Sequence, residues 1–591
     1  MTSNDAGNHT RRNFLKSLCA AAASLSLPAT ALGRRRSSRK PNVVLIFTDD
    51  QGSIDLNCYG AKDLYTDNLD RLAARGTRFT QFYVGAPVCS PSRAALMTGR
   101  YSARTGVWAT TIGRSLLDRR ETTVADVFKA SGYRTAMFGK WHLGDNYPYR
   151  PQDRGFDHVL AHGGGGVGQA PDFWGNDYFD DTYWHNGTPE KHTGYCTDIW
   201  FDGAMRFIEA NRNRPFFVYL TTNAPHGPYN VSEKYSGLYK DKNVPNANFY
   251  GMITNIDENM GRLLGKLKAL GLEENTILIF MTDNGTAAGF RGGKGFNSGM
   301  RGTKGSEYEG GHRVPCFVRW PGGALGGGRN VNRLTAHVDL LPTLIDLCGL
   351  PGPAQVTFDG TSIAPLLKGA GADWPDRILV TDSQRIEHPE KWRKSAVMTD
   401  RWRLINGKEL YDLPRDPGQS RDVAAEYPDV VRKLRQAYEK WWESVSQRFD
   451  EYCEIVLGSD EENPARLTCH DWHGGGAVPW AQGHIRNGLK ANGFWAVEVA
   501  RAGEYEFSLR RWPREVDAPI NAAIPGGKAI RAQQARLQIA NVDVSKPIDA
   551  QAKEVTFKVS LPAGKTTLRT WFTADDGTSR GAYFAYVKRV S

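Results

Sequence analysis

Cysteine is scarce, with eight residues in a chain of 591. That is too few to staple a protein of this length, so an apolar core rather than a disulfide framework must hold it together. Long apolar runs are missing too. The run near the N-terminus, Ser17 to Leu27, falls well short of the roughly 20 residues of a membrane span, so no spanning helix is expected. There is no internal repeat. The glycine stretches Gly163 to Gly166 and Gly322 to Gly328 lack the flanking pattern of a dinucleotide or phosphate loop, and they read as flexible loops. Histidine and cysteine form no matched zinc-ligand set, which turns attention to hard oxygen donors.

What is present is a basic, globular composition. Apolar residues make up 40% of the chain, which excludes a disordered protein, and the length calls for two or three domains. The net charge of +11 attracts polyanions. Nucleic acid, anionic lipid and sulfated polysaccharide all qualify. Thr10-Arg11-Arg12-Asn13-Phe14-Leu15-Lys16, the apolar run and then Ala29-Thr30-Ala31 read as a twin-arginine signal peptide over residues 1–33. A periplasmic or extracellular location is therefore expected, with an anionic substrate rather than nucleic acid. Apart from Cys19 and Cys89, six cysteines remain, an even number of which some could pair.

After a basic linker at 34–40, four strand-like runs each abut polar residues. Val43 to Phe47 ends in Thr48-Asp49-Asp50, and Arg134 to Phe138 ends in Gly139-Lys140-Trp141-His142. Phe216 to Leu220 leads to Asn223-Ala224-Pro225-His226, and Ile277 to Met281 ends in Thr282-Asp283-Asn284. Alternation with helical patterns predicts an α/β domain with a largely parallel sheet over 41–375. Ligands bind beyond the carboxyl ends of such strands, so the four clusters are expected on one edge. Over 376–450 the pattern changes to a smaller C-terminal α+β subdomain. Two β stretches, Ser395 to Leu404 and Lys408 to Leu413, precede a helix from Pro428 to Val445 whose core face is Val431, Leu434, Tyr438, Trp441 and Val445. From 454 to 591, Tyr505/Phe507/Leu509 and Phe557/Val559/Leu561 alternate with polar residues, which predicts an appended antiparallel β-sandwich.

Cys89 precedes a helix-compatible stretch, with Ser90 as expected N-cap, Pro91 at the first helical position and Gly99 as the stop. A helix N-terminus favours an anion, and Arg93 lies one turn in. Isolated cysteines are more often small buried hydrophobes or simple reactive thiols. Asp49, Asp50, Asp283 and Asn284 offer oxygen ligands for Ca²⁺ or Mg²⁺, although Asp and Asn after a strand often only make turns. Lys140 and His142, two apart, project to one side if the chain is extended. With His226 and Lys304 they supply what cleavage of an anionic ester needs: cations for its oxygens, a base and an acid.

These residues resemble the type I sulfatases of the alkaline-phosphatase-like fold, from Pro41 to about Val445. Cys89-Ser90-Pro91-Ser92-Arg93 followed by Thr98-Gly99-Arg100 is similar to that family's signature. Asn42 to Gln51, Gly139 to Gly144, Thr282 to Gly285 and Lys304 to Gly311 resemble its other blocks. The resemblance implies that a dedicated maturating enzyme converts Cys89 to Cα-formylglycine, whose hydrate attacks sulfur. It implies Ca²⁺ on Asp49, Asp50, Asp283, Asn284 and the residue-89 side chain, with Arg93 holding the hydrate. His142, supported by Lys140, would take the proton that releases sulfate. His226 and Lys304 would bind sulfate and protonate the leaving group, in an order the sequence leaves open. A sulfated carbohydrate is the expected substrate, with Arg291, Asn297, His312, Asp172 and Trp174 as candidates to line its pocket. A phosphodiesterase or phosphonate monoester hydrolase of the same superfamily is the alternative activity. A glycan-binding protein without catalysis is a further one.

Overall fold

The four apolar runs form the centre of a ten-stranded sheet in a computed structural model of the chain, which describes residues 39–370 and 374–590. The expected signal peptide and the first part of the linker lie outside the described residues. Strand Asn42–Thr48 is central, parallel to Thr276–Thr282 on one side and to Phe216–Thr221 on the other. Arg134–Lys140 and His158–His162 continue the parallel set. Antiparallel strands complete both sides, Cys316–Arg319 on one and Thr182–His185 on the other. The sheet is thus parallel at its centre and mixed at its margins.

Unbroken apolar runs suit strands covered on both faces, and the side chains divide accordingly. Val43, Leu45, Phe47, Phe217, Tyr219, Ile277 and Ile279 join one core; Val44, Ile46, Phe216, Val218, Leu220, Leu278 and Phe280 join the other. Burying one such side chain is worth about 1.5–3 kcal/mol, so the register of the strands is strongly fixed. Because the strands run the same way, Asp49, Lys140, Thr221 and Asp283 emerge together.

A second, four-stranded sheet runs in the order Leu379–Asp382, Ser395–Met398, Trp402–Ile405, Glu409–Asp412. The stretch expected as one strand from Ser395 to Leu404 is two, because Thr399 and Trp402 close a turn between them. Helix Pro428–Val445 buries Val431, Leu434, Tyr438 and Val445, with Trp441 half-buried beside them.

The C-terminal region is a sandwich of a four-stranded and a larger sheet. Gly503–Arg510 and Val555–Leu561 pair with Phe507 opposite Phe557, and their alternate residues face its core. It is not wholly antiparallel, since Ile455–Leu457 runs parallel to Phe494–Val499. Nor does it hang from a loose linker. Leu116, Tyr149 and Ala170 of the first region share one apolar cluster with Trp472 and Trp495, and Tyr149 Oη–H donates to the Glu454 carbonyl at 2.7 Å. All seven described cysteines are free thiols. Among the described residues no helix is long and apolar enough to cross a membrane.

Candidate active site

Helix Cys89–Thr98 is buried along its whole length and ends at Gly99, whose φ of 67° is left-handed. It begins two residues earlier than the sequence predicts. Val88, extended, is the N-cap, and Ser92 N–H makes the first helical bond to its carbonyl at 3.1 Å. Pro91 therefore falls in the first turn, where a missing N–H leaves nothing unpaired. Cys89 stands as the first helical residue, facing the sheet edge.

Four potential ligands, Asp49, Asp50, Cys89 and Asp283, bring one donor atom each within 4.8 Å of one another. Asn284 joins them, with its Nδ2 donating to Asp50 Oδ1 (2.9 Å) and to the Gly285 carbonyl (3.0 Å). Its Oδ1 is buried with no hydrogen-bond partner, which is the state of a donor oxygen prepared for a cation. Burial and the like charge of Asp49 push Asp283 up to about 7, the stress a metal ion would relieve. The residues present fit a metal ion held mainly by oxygens.

Around this acidic centre sit the cations. Arg93, fully buried, donates from Nη2 to Asp283 Oδ2 at 3.1 Å and from Nη1 to Thr221 Oγ1 at 2.7 Å and the Lys140 carbonyl at 3.1 Å. Lys140 Nζ donates to Asp49 Oδ2 at 2.6 Å. Lys304 Nζ lies 2.6 Å from Asp50 Oδ1 and 3.5 Å from Cys89 Sγ. Burial works against charge on both Asp50 and Lys304. Their mutual attraction, joined by His226, Lys140 and Asn284 around Asp50 and by Cys89, Asp49 and Asp283 around Lys304, outweighs it, holding the carboxyl well below and the ammonium well above their ordinary values.

The two histidines differ. His142 Nε2 lies 2.9 Å from the Thr110 carbonyl. A carbonyl only accepts, so Nε2 carries the hydrogen and Nδ1 holds the free lone pair. That Nδ1 is buried without a partner. Burial, then Lys140 and His470, hold this imidazole well below its ordinary value. His142 has a φ of 60°, so the chain after Lys140 is not extended and the two side chains reach the site by different routes. Against His142 lies Gly165, where a Cβ would come within 2.2 Å of the ring. His226 donates from Nδ1 to the Gly227 carbonyl at 2.6 Å and turns Nε2 toward Asp50 Oδ2 at 3.8 Å. Burial, with Lys304 and Lys140 acting the same way against Asp50, takes it down to about 4.

Cys89 is itself informative. Burial pushes its thiol up to about 12, so near neutral pH the sulfur is protonated and a poor nucleophile. The His226 and Lys304 side chains are 20% and 21% exposed while Arg93, Lys140, Asp49 and Asp50 are closed off. The mouth of the site is on the His226–Lys304 side.

This edge of the sheet thus presents a buried acidic cluster, five cationic or basic side chains and a shielded residue 89. The sulfatase family matches residues 41–350, and the C-terminal segment of N-sulphoglucosamine sulphohydrolase matches residues 303–443. The chain belongs to the sulfatase family. Human arylsulfatase A is 33% identical over 460 residues, spanning 68% of this chain and 87% of that protein. Mouse N-acetylgalactosamine-6-sulfatase is 31% identical over 510 residues, spanning 77% and 94%. The crystal structure of Ps i-CgsB with k-i-k-neocarrahexaose aligns at a TM-score of 0.63 and 29% identity, over 70% of this chain and 95% of that one. The fold is that of the arylsulfatase-like, alkaline-phosphatase-like enzymes, and the chain is a sulfuric ester hydrolase. Both family matches end by residue 443, so the sandwich of this sulfatase lies beyond them.

The five residues expected around a sugar occupy different settings. His312 has no exposed surface and packs with Glu309, whose carboxylate binds Arg403 at 2.6 Å. Asp172 is equally buried. Its carboxylate accepts from Gly163 and Gly168 N–H (3.2 and 2.9 Å), shaping the glycine loop that rests on His142. Trp174 packs on Trp512 and beneath Arg486, joining the sandwich to the first region. Arg291 is on an exposed turn closed with Lys294, and Asn297 caps its own loop through Gly299 and Met300. Sequence reasoning overlooked Thr221, His337, whose Nδ1 meets Ser92 Oγ at 3.0 Å, and His470, whose ring lies 6.0 Å from that of His142. Thr221 ends an apolar run as Asp49 and Asp283 nearly do, so its position was a usable signal. Nothing local marks His470.

Proposed function

We propose that this sulfatase removes sulfate from a sulfated carbohydrate, using Cys89 converted to Cα-formylglycine and a Ca²⁺ ion held by Asp49, Asp50, Asp283 and Asn284. One observation carries the reading. Residue 89 is buried at a helix N-terminus, among oxygen donors and cations, where a thiol stays protonated and a hydrated aldehyde would supply the hydroxyl nucleophile that sulfur requires. Held by these four side chains, such a cation would neutralise sulfate charge and make that hydroxyl more acidic.

The protein's own groups then divide the work. Arg93 and Lys140 hold Asp283 and Asp49 in place around residue 89. Lys304, a fixed cation at the mouth, binds sulfate oxygens and stabilises the negative charge that develops there. His226 is neutral in the resting site and gains its proton with the arriving anion, so it is the group suited to protonate the leaving alcohol. His142 Nδ1, the free lone pair, accepts the proton whose removal from the residue-89 hydroxyl releases sulfate.

The carbohydrate part of the reading draws on two relatives, the sulfatase named for N-acetylgalactosamine 6-sulfate and the structure holding a neocarrahexaose, with the net charge of +11 in support. Export by the twin-arginine route to the periplasm or medium, after cytoplasmic conversion of Cys89 by a maturating enzyme, completes the proposal. The test is a comparison of aryl sulfate, phosphate monoester, phosphodiester and a panel of defined sulfated saccharides, with and without chelator. Preferred, calcium-dependent turnover of a sulfated saccharide supports it. Preference for a phosphodiester or phosphonate ester overturns it.

A further inference from the structure

The turn from Trp108 to Arg114 is where all three regions of the molecule meet. It is closed on itself, with Trp108 and Ala109 N–H both donating to the Arg114 carbonyl at 3.1 Å. Its Thr110 carbonyl is the acceptor that fixes the His142 tautomer. From the smaller subdomain, Arg385 N–H reaches the Trp108 carbonyl at 3.0 Å and Glu387 meets Arg114 at 3.2 Å. From the sandwich, the His470 carbonyl accepts Ile112 N–H at 3.1 Å, and His473 donates from Nδ1 to Glu387 at 2.9 Å. His473 in turn is paired through its backbone with Phe494, at the head of strand Phe494–Val499.

Two features show that this contact is a clamp rather than incidental packing. Ile112 is β-branched yet has a φ of 60°, a conformation such residues hold only when their surroundings impose it. Its N–H is bound by the sandwich. The next residue, Gly113, is approached so closely that a Cβ would lie 2.1 Å from His473 Nε2. A turn left without that support would relax, and Thr110 would no longer hold the hydrogen on His142 Nε2.

We propose that the C-terminal sandwich is a working part of the active site, and that His473 is a positioning residue for His142. His473, bridged to Glu387 and seated on Gly113, fixes the turn whose Thr110 carbonyl leaves the His142 Nδ1 lone pair free. The inference rests on the reading of His142 as the base that releases sulfate.

The test uses the full, converted enzyme. His473→Leu keeps bulk but loses the bond to Glu387; His473→Asn keeps a donor near Nδ1. With an aryl sulfate, His473→Leu is expected to lower kcat by about 10-fold or more and KM in proportion, so that kcat/KM stays within about 3-fold. The residue-89 peptide should then carry a covalent sulfuryl group at steady state, because release is the step that needs the base. His473→Asn should recover most of kcat. Glu387→Ala, at a partly exposed position, should act like His473→Leu, and it replaces that variant if His473→Leu does not fold. Unchanged kcat overturns the inference, as does a loss without sulfuryl accumulation or recovery by asparagine, which would mark a structural role only. A wild-type enzyme that turns over sulfate esters with an unmodified thiol at residue 89 would instead overturn the reading of the site beneath it.

Discussion

Arg93→Met removes a charge from the centre of the site while keeping most of the side-chain volume. Arg93 has no exposed surface and pairs with Asp283 at 3.1 Å and, more distantly, with Asp49 at 3.7 Å. Asp49 keeps Lys140 at 2.6 Å, so the loss falls on Asp283. Removing one partner of a buried ion pair costs about 3–5 kcal/mol. Asp283 titrates at about 7 even with Arg93 present, so protonation would mask part of that loss at low pH, and pH 8 is the informative condition. A cation on the four oxygen ligands compensates the same carboxylates. At a hundredfold excess over its Kd it returns about 2.7 kcal/mol, and its affinity should rise once the neighbouring guanidinium is gone. Urea unfolding followed by tryptophan fluorescence should therefore show a lower midpoint for the variant in chelator. Calcium should shift the variant further than it shifts the wild type. An unmoved midpoint in chelator, or a calcium shift smaller than in the wild type, would refute the reasoning.

Three further outcomes are expected. Burial raises Asp283 from 3.8 to about 7 in the metal-free fold, so proton binding stabilises that fold at low pH and the benefit is lost as pH rises through this window. Calcium takes the place of the proton, and its stabilising shift in melting temperature should grow from pH 4 to 7 and then level off; a flat dependence contradicts this. The His142 imidazole is held well below 6.5, so its Nδ1 remains a base in mild acid and the acid limb of kcat, measured where sulfate release limits turnover, should lie below that value. A limb at the ordinary histidine position would remove His142 from the role. Gly165→Ala places a Cβ 2.2 Å from the His142 ring and should lower kcat by about 10² with residue 89 still fully converted. Unchanged turnover would show that the ring has room to move.

The sheet was legible because its strands are buried on both faces and read as continuous apolar runs, each ending in the residues that the parallel arrangement then gathers. The acidic cluster and its cations followed from that edge. The start of the Cys89 helix was misplaced because Ser90 and Pro91 are good capping residues in isolation, whereas here the cap is the extended backbone of Val88. His312 and Asp172 read as pocket residues in the sequence because a polar side chain near a motif looks exposed. Both are instead buried among partners distant in sequence, Arg403 among those near His312, which no local pattern announces. The clamp on His142 was invisible for the same reason: Gly113 and His473 are brought together only by the docking of the sandwich.

The proposed mechanism requires that residue 89 act as formylglycine rather than as cysteine. Burial pushes that thiol up to about 12, so near pH 7 it is protonated and a poor nucleophile. Mass spectrometry of the peptide containing residue 89, taken from preparations made with and without a maturating enzyme and assayed on an aryl sulfate, tests this most directly. Turnover is expected to scale with the aldehyde-bearing fraction and to vanish with it. Full turnover from a preparation whose residue 89 is entirely an unmodified thiol would contradict it.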